Sequence, residues 1–331
     1  MKTKRKRIHI LATGGTISGI GERGATSGYS PGVLPIDALL KGLPRMLDIA
    51  EVTGEQFASL NSDDITQTIW LALAKRVNSL AMSGAYDGFV ITHGTDTLEE
   101  SAYFFHLSVK TEKPVVVTGA MRPATATSAD GPLNLYQSVA LAASDDALGQ
   151  GVLVLFSEGI YSGRDVRKGN TFRVHAITGG DMGSLGLMRD EIPTFYHKTL
   201  KAHTTATEFD LADIQTLPRV AIAYFHVDAD PTVLDALAAS HDGLVIAGAG
   251  DGVVSLRWEE RLRALCEKGF PIVRATRVPD GAVFRGAGMP DDDIGTLAAG
   301  TLSPEKARVL LMLGLSRTRD THRLQAMFDM Y

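Results

Sequence analysis

The sequence predicts an α/β protein in two domains: a larger N-terminal domain on a mainly parallel sheet with a flexible active-site loop, and a smaller C-terminal α/β domain. Three observations carry this. Short β-rich apolar runs alternate with longer amphipathic patterns, the pattern of parallel strands joined by crossover helices. The alternation stops in a polar stretch near residues 198–217 and then resumes. A chain of 331 residues has room for two ordinary domains.

In chain order, residues 7–13, 88–93, 114–118 and 151–157 read as buried strands. Between the first two, Ile65, Ile69, Leu73, Val77 and Leu80 recur every three or four residues, which predicts a helix over 64–82 with Asp64 near its start. Residues 98–109 and 132–143 read as two further helices. Asp130 stands where the last would be capped, and Pro132 near its first position, whose N–H has no helical partner anyway. The stretch KTLKAHTTATEFDLADIQTLP reads as an interdomain linker, giving boundaries of 1–197, 198–217 and 218–331. Beyond it, 220–225, 244–247 and 271–275 read as strands, and 231–239, 256–268, 304–314 and 321–329 as helices. Ser303 before Pro304 reads as a helix N-cap.

Composition excludes several classes of function. The single cysteine, Cys266, cannot form an internal disulfide or build a cysteine-rich metal site. No apolar run approaches the roughly 20 residues of a membrane helix, and the first, residues 8–12, is short for a signal-peptide core. The chain therefore reads as cytoplasmic, or periplasmic if a leader was removed, with no membrane partner. Lys2, Lys4, Arg5, Lys6 and Arg7 form a basic start, but with net charge −5 a solvated tail is expected rather than a nucleic-acid contact. The 34 glycines make up about 10% of the chain, against about 7% ordinarily.

Part of that surplus falls at strand ends, where ligands bind in open α/β sheets. Three junctions share a pattern: Thr13-Gly14-Gly15-Thr16, Thr92-His93-Gly94-Thr95-Asp96 and Thr118-Gly119-Ala120-Met121-Arg122. Each puts glycine where backbone approaches something closely, and two deliver a hydroxyl. Any one alone would also serve as a tight turn; three in one sheet point to a site. A threonine hydroxyl needs a neighbouring group to take its proton. Tyr29, in the loop ISGIGERGATSGYSPG, and Lys168, in GRDVRK after the fourth strand, are candidates. The Gly19 to Gly24 run matches GxGxxG, yet it begins several residues after the strand and no helix follows, which argues against a dinucleotide site.

Together, ILATGGTI, GFVITHGTDTLEE, VTGAMRP with SADGPLNLY, and GRDVRKGNT resemble the bacterial-type L-asparaginases, especially the high-affinity asparaginases and glutaminase-asparaginases. The likeness continues through RVPDGAV and TLSPEKARVLL to Tyr331. It implies hydrolysis of L-asparagine to L-aspartate and ammonia, with some glutaminase activity in reach, without cofactor or metal. It implies Thr16 as nucleophile, Tyr29 as its loop partner, and Thr95, Asp96 and Lys168 as a second catalytic set. Ser62 and Asp63, alongside Asp96, would hold the amino acid's charged end, and backbone N–H groups near Thr16 and Ala120 would form an oxyanion hole. A homotetramer built as a dimer of dimers is implied as well. Three positions depart from the pattern: Asp63 is shorter than the usual glutamine or glutamate but keeps an anion for the ammonium, Gly288 stands where relatives carry a glutamate supplied by a neighbouring subunit, and Val253 where a small polar residue is usual. These losses keep open a binding protein without efficient turnover. If turnover is intact they imply a raised KM, partly restored by Gly288→Glu.

Overall fold

The computed structural model describes residues 5–331, so Lys2 and Lys4 of the basic start lie outside the described residues. Arg7 pairs with Asp87, and Lys6 with Asp145 at 2.6 Å. Two compact units divide between Asp213 and Ile214.

The first unit is built on an eight-stranded sheet. Its strands are β1 (Arg7–Gly14), β2 (Glu51–Leu60), β3 (Gly88–Thr92), β4 (Val115–Thr118), β5 (Val152–Phe156), β6 (Gly159–Ser162), β9 (Gly186–Arg189) and β10 (Ile192–Phe195); β7 (Arg167–Lys168) and β8 (Ile177–Thr178) form a separate pair. The order is β10-β9-β6-β5-β4-β3-β1-β2. The five strands from β2 to β5 run parallel, and β6, β9 and β10 add antiparallel neighbours at the other edge. β3, β4 and β5 are buried throughout, as expected for parallel strands covered on both faces. β2 departs from the sequence reading, which contains no strand there: an edge strand alternating between half-buried and exposed residues carries no apolar run.

The helices are α1 (Ile36–Lys41), α2 (Met46–Ile49), α3 (Gln67–Met82), α4 (Leu98–Ser108) and α5 (Gly131–Ala143). α3 starts later than the spacing predicts. Thr66 caps it by accepting from Ile69 N, and Ser62–Asp64 form a separate 3-10 turn. Asp130 precedes α5 with Pro132 in the first turn, but its side chain does not cap the helix. It bonds backwards instead, accepting from Met121 N and Arg122 N at 2.9 Å each. Much of the polar stretch after 197 is packed rather than extended: Lys110 Nζ donates to Thr204 O and Thr207 O, and Phe209 and Leu211 are buried.

The second unit has a four-stranded parallel sheet in sequence order, β11 (Val220–Tyr224), β12 (Gly243–Gly248), β13 (Ile272–Thr276) and β14 (Leu297–Ala298). Its helices are α6 (Thr232–Ala238), α7 (Leu256–Cys266), α8 (Asp291–Ile294), α9 (Pro304–Leu315) and α10 (Thr321–Met330). Ser303 caps α9 through Lys306 N. On β13 the buried Arg274 pairs with Asp291 at 2.6 Å and donates to the carbonyls of Asp251, Phe284 and Ala287, tying two loops together. Removing one partner of such a pair typically costs about 3–5 kcal/mol. No helix among the described residues is long and apolar enough to cross a membrane.

Candidate active site

The parallel order β2-β1-β3-β4-β5 reverses direction between β1 and β3, and in such sheets the crevice outside the carboxyl ends at the reversal is where ligands bind. Two of the three glycine junctions flank that point. They approach closely because they lack side chains. Gly15 sits at φ +78°, and a Cβ there would lie 2.5 Å from Gly94 Cα. A Cβ on Gly119, at the third junction, would lie 2.5 Å from His93 O. The glycines thus stack the three loops backbone to backbone, a contact closer than any side chain permits.

A cavity of about 460 Å³ opens there, lined by Thr16, Tyr29, Thr95, Asp96 and Lys168 with Met121 and Arg122 from the third junction. Thr26, Ser27 and Gly28 contribute one rim, Thr171 and Phe172 another. Thr16 and Thr95 are buried at 7% and 5% exposure. Thr16 Oγ1 and the Tyr29 hydroxyl are hydrogen-bonded at 2.8 Å. The Tyr29 loop folds back through an antiparallel bridge between Ile20 and Ser30, and Gly24 N donates to Thr125 O at 2.9 Å. The glycine run that imitates a dinucleotide motif has a packing role, since Cβ atoms on Gly19 and Gly21 would each come within 2.9 Å of Tyr29.

On the opposite wall Lys168 Nζ donates to Thr95 Oγ1 at 3.0 Å and forms an ion pair with Asp96. The charged group against Lys168 is thus a carboxylate rather than a cation, and Nζ donates to the threonine oxygen rather than accepting from it. Lys168 N donates to Glu99 Oε2 at 2.6 Å, which fixes the short strand β7 against α4. Ser62 accepts from Asp96 N through Oγ at 3.2 Å and from Thr97 Oγ1 through its carbonyl at 2.7 Å.

Ser62, Asp63 and Ala120 are not part of the cavity lining. Ser62 and Ala120 are buried, while Asp63 is exposed on its turn. In the second unit Gly288 and Val253 are neighbours, for a Cβ on Gly288 would lie 2.9 Å from Val253 Cγ1. Gly288 is at φ +72°, so its glycine also answers a left-handed backbone and is more than a missing carboxylate. Sequence reasoning missed Glu99, Phe172 and Asn134. Asn134 lies on α5 and bonds to Gly119 O at 3.0 Å, and an asparagine inside a helix carries no local signal of such a role. Among the described residues no group of three or more His, Cys, Asp or Glu side chains is placed to hold a metal ion.

His93, between β3 and Thr95, is fully buried. Its Nδ1 is 2.7 Å from Gly94 O, so the neutral ring carries its proton there. Burial lowers its pKa to about 4, outweighing the opposing effect of that carbonyl.

Residues 7–201 match the family described as asparaginase, N-terminal, and residues 219–328 the glutaminase/asparaginase C-terminal domain. A protein of Haemophilus influenzae named probable L-asparaginase periplasmic is 44% identical over 97% of this chain and 92% of its own. The glutaminase-asparaginase of Pseudomonas fluorescens biotype A is 44% identical over 100% of this chain and 92% of its own. The crystal structure of the probable cytoplasmic L-asparaginase of Campylobacter jejuni matches with a TM-score of 0.95 at 42% identity, covering 99% of this chain and 100% of that one. The chain belongs to the asparaginase family.

Proposed function

We infer that the protein hydrolyses L-asparagine through an acyl-enzyme on Thr16, with some activity on glutamine. The observation that carries this reading is the meeting of two hydroxyl sets in one cavity: Thr16 with Tyr29, and Thr95 with Lys168 and Asp96. Thr16 Oγ1 attacks the side-chain amide carbon while its proton passes to Tyr29, and the phenol hands its own proton to the departing nitrogen. The C–N bond breaks and ammonia leaves. Water then attacks the ester, giving one proton to Thr95 as Thr95 passes its own to solvent; Thr16 takes a proton from Tyr29 as it departs, and the carboxyl proton of the aspartate formed returns to the Tyr29 oxygen, leaving both hydroxyls as they began. In this scheme Lys168 steadies the Thr95 oxygen by donating to it. Backbone N–H groups near Thr16 and Ala120 receive the oxyanion; losing one such donor typically costs about 3 kcal/mol of barrier.

Ser62, Asp63 and Asp96 hold the α-carboxylate and α-ammonium on this reading, and the molecule works as a cytoplasmic homotetramer. The resemblance of the motifs and the naming of relatives as asparaginases and glutaminase-asparaginases support the hydrolysis; of the relatives, that of Campylobacter jejuni is named cytoplasmic and that of Haemophilus influenzae periplasmic. The test is ammonia release from asparagine and glutamine, side by side over a concentration series. Absence of product from both, with Thr16→Ala indistinguishable from the parent, would overturn the proposal. Light scattering on an eluting peak tests the tetramer.

A further inference from the structure

Asn134 is 1% exposed, lies on the first turns of α5 and does not line the cavity. Both ends of its amide are engaged. Nδ2 donates to Gly119 O at 3.0 Å, and Oδ1 accepts from Ser157 N at 3.1 Å. Ser157 and Glu158 turn the chain from β5 into β6 at φ 46° and 68°. Such conformations are costly for residues other than glycine and persist where the surroundings hold them. Ser157 Oγ in turn donates to Val174 O at 3.0 Å, just beyond the segment that brings Lys168, Thr171 and Phe172 to the cavity.

The other end of the relationship is the loop after β4. The Gly119 carbonyl is held by Asn134, and the Met121 and Arg122 amides by Asp130. Among the described residues the Ala120 N–H between them has no hydrogen-bond acceptor. A preorganised amide, fixed by its neighbours and left unpaired, is what stabilisation of a developing oxyanion requires.

We propose that Asn134 is a positioning residue for the reaction: through Gly119 it aims the Ala120 N–H, and through Ser157 it keeps the lysine-bearing segment in register with Thr16. It touches no substrate. The proposal rests on Thr16 being the nucleophile.

Asn134→Asp tests it. The change is nearly isosteric and keeps an acceptor for Ser157 N, but turns a carboxylate oxygen towards Gly119 O. The charged neighbour is Asp130, whose Oδ2 lies 3.4 Å from Asn134 Nδ2; burial and that carboxylate lift the pKa of the new acid above the usual carboxylate value, so it is ionised at pH 8 and takes up its proton within the range the assay crosses. At pH 8, kcat on asparagine is expected to fall about 100-fold, the scale for a misplaced catalytic group. KM and the calorimetric affinity for L-aspartate should each change less than about threefold, as expected when an interaction made only in the transition state is lost.

Lowering the pH restores an O–H donor facing Gly119 O, so the ratio of variant to parent kcat should climb. A merely structural role predicts a flat or falling ratio, and that result, or a kcat within about twofold of the parent at pH 8, overturns the proposal. If the variant does not fold, Ser157→Ala removes only the bond to Val174 O; about a tenfold lower kcat at unchanged KM supports the coupling, and an unchanged kcat overturns it. The parent is assayed alongside: a parent that releases no ammonia refutes the nucleophile itself, whereas an active parent with an unaffected variant refutes only the positioning role.

Discussion

Thr16 Oγ1 and Tyr29 Oη stand 2.8 Å apart, with Gly19 making room for the tyrosine ring and Gly21 for its Cβ. Gly19 and Gly21 face Tyr29 so closely that any Cβ would displace it, and the Ile20–Ser30 bridge closes the loop that carries it. Tyr29→Phe keeps this packing and deletes the hydroxyl. Steady-state ammonia release is expected to show kcat lowered about 100-fold or more, the usual contribution of a positioned proton-transfer group. The melting temperature should move little. A kcat within a factor of two of the parent would remove Tyr29 from the proton path.

Thr95→Val conserves shape and removes the oxygen that accepts from Lys168. If Thr95 serves the water step, the variant is slow in deacylation. Intact-protein mass spectrometry after mixing with asparagine should then reveal an aspartyl adduct, mapping to Thr16. Full turnover with no adduct would count against the assignment.

His93 links the site to pH through stability rather than through rate. Its folded pKa of about 4 lies below the ordinary 6.5, so between those values the unfolded chain binds the extra proton. Stability from this residue is therefore complete above pH 6.5 and is lost as pH falls through 4, by about 3 kcal/mol in all. Urea midpoints at pH 7.5 and 5 should differ for the parent, and differ less for His93→Gln. An equal difference in both proteins would show that other groups carry the acid sensitivity.

Gly288→Glu alone is expected not to lower KM. A residue other than glycine at φ +72° costs about 1–2 kcal/mol, and its Cβ meets Val253 Cγ1. The expectation from sequence, that one carboxylate restores affinity, overlooks this contact. Val253→Ser combined with Gly288→Glu relieves the contact, and the pair should give a lower KM than Gly288→Glu by itself. A single variant with a lower KM and an unchanged melting temperature would refute this.

The legible parts of the chain were those with a local signature. β3, β4 and β5 are unbroken apolar runs because both faces of a parallel sheet are covered. β2 and β10, at the two edges of the sheet, and β9 beside β10 were illegible because partly exposed strands lack that run. Thr16, Thr95, Asp96 and Lys168 stand out through neighbouring glycines or a distinctive motif. Asp130 reads locally as a cap, yet its carboxylate serves the loop behind it. Asn134 has no sequence mark at all, since its partners at Gly119 and Ser157 lie 15 and 23 residues away.

Burial, periodicity and turn chemistry act over a few residues, so the α/β class, the principal buried strands and the glycine-flanked hydroxyls at their ends are legible in the chain. Which of those ends meet depends on the order in which the strands pack. Placing β1 between β2 and β3 sets Gly15 against Gly94, and the antiparallel strands beyond β5 accompany the return of Lys168 to Thr95. Strand order and register follow from packing among residues distant in the chain, and no local pattern contains that information.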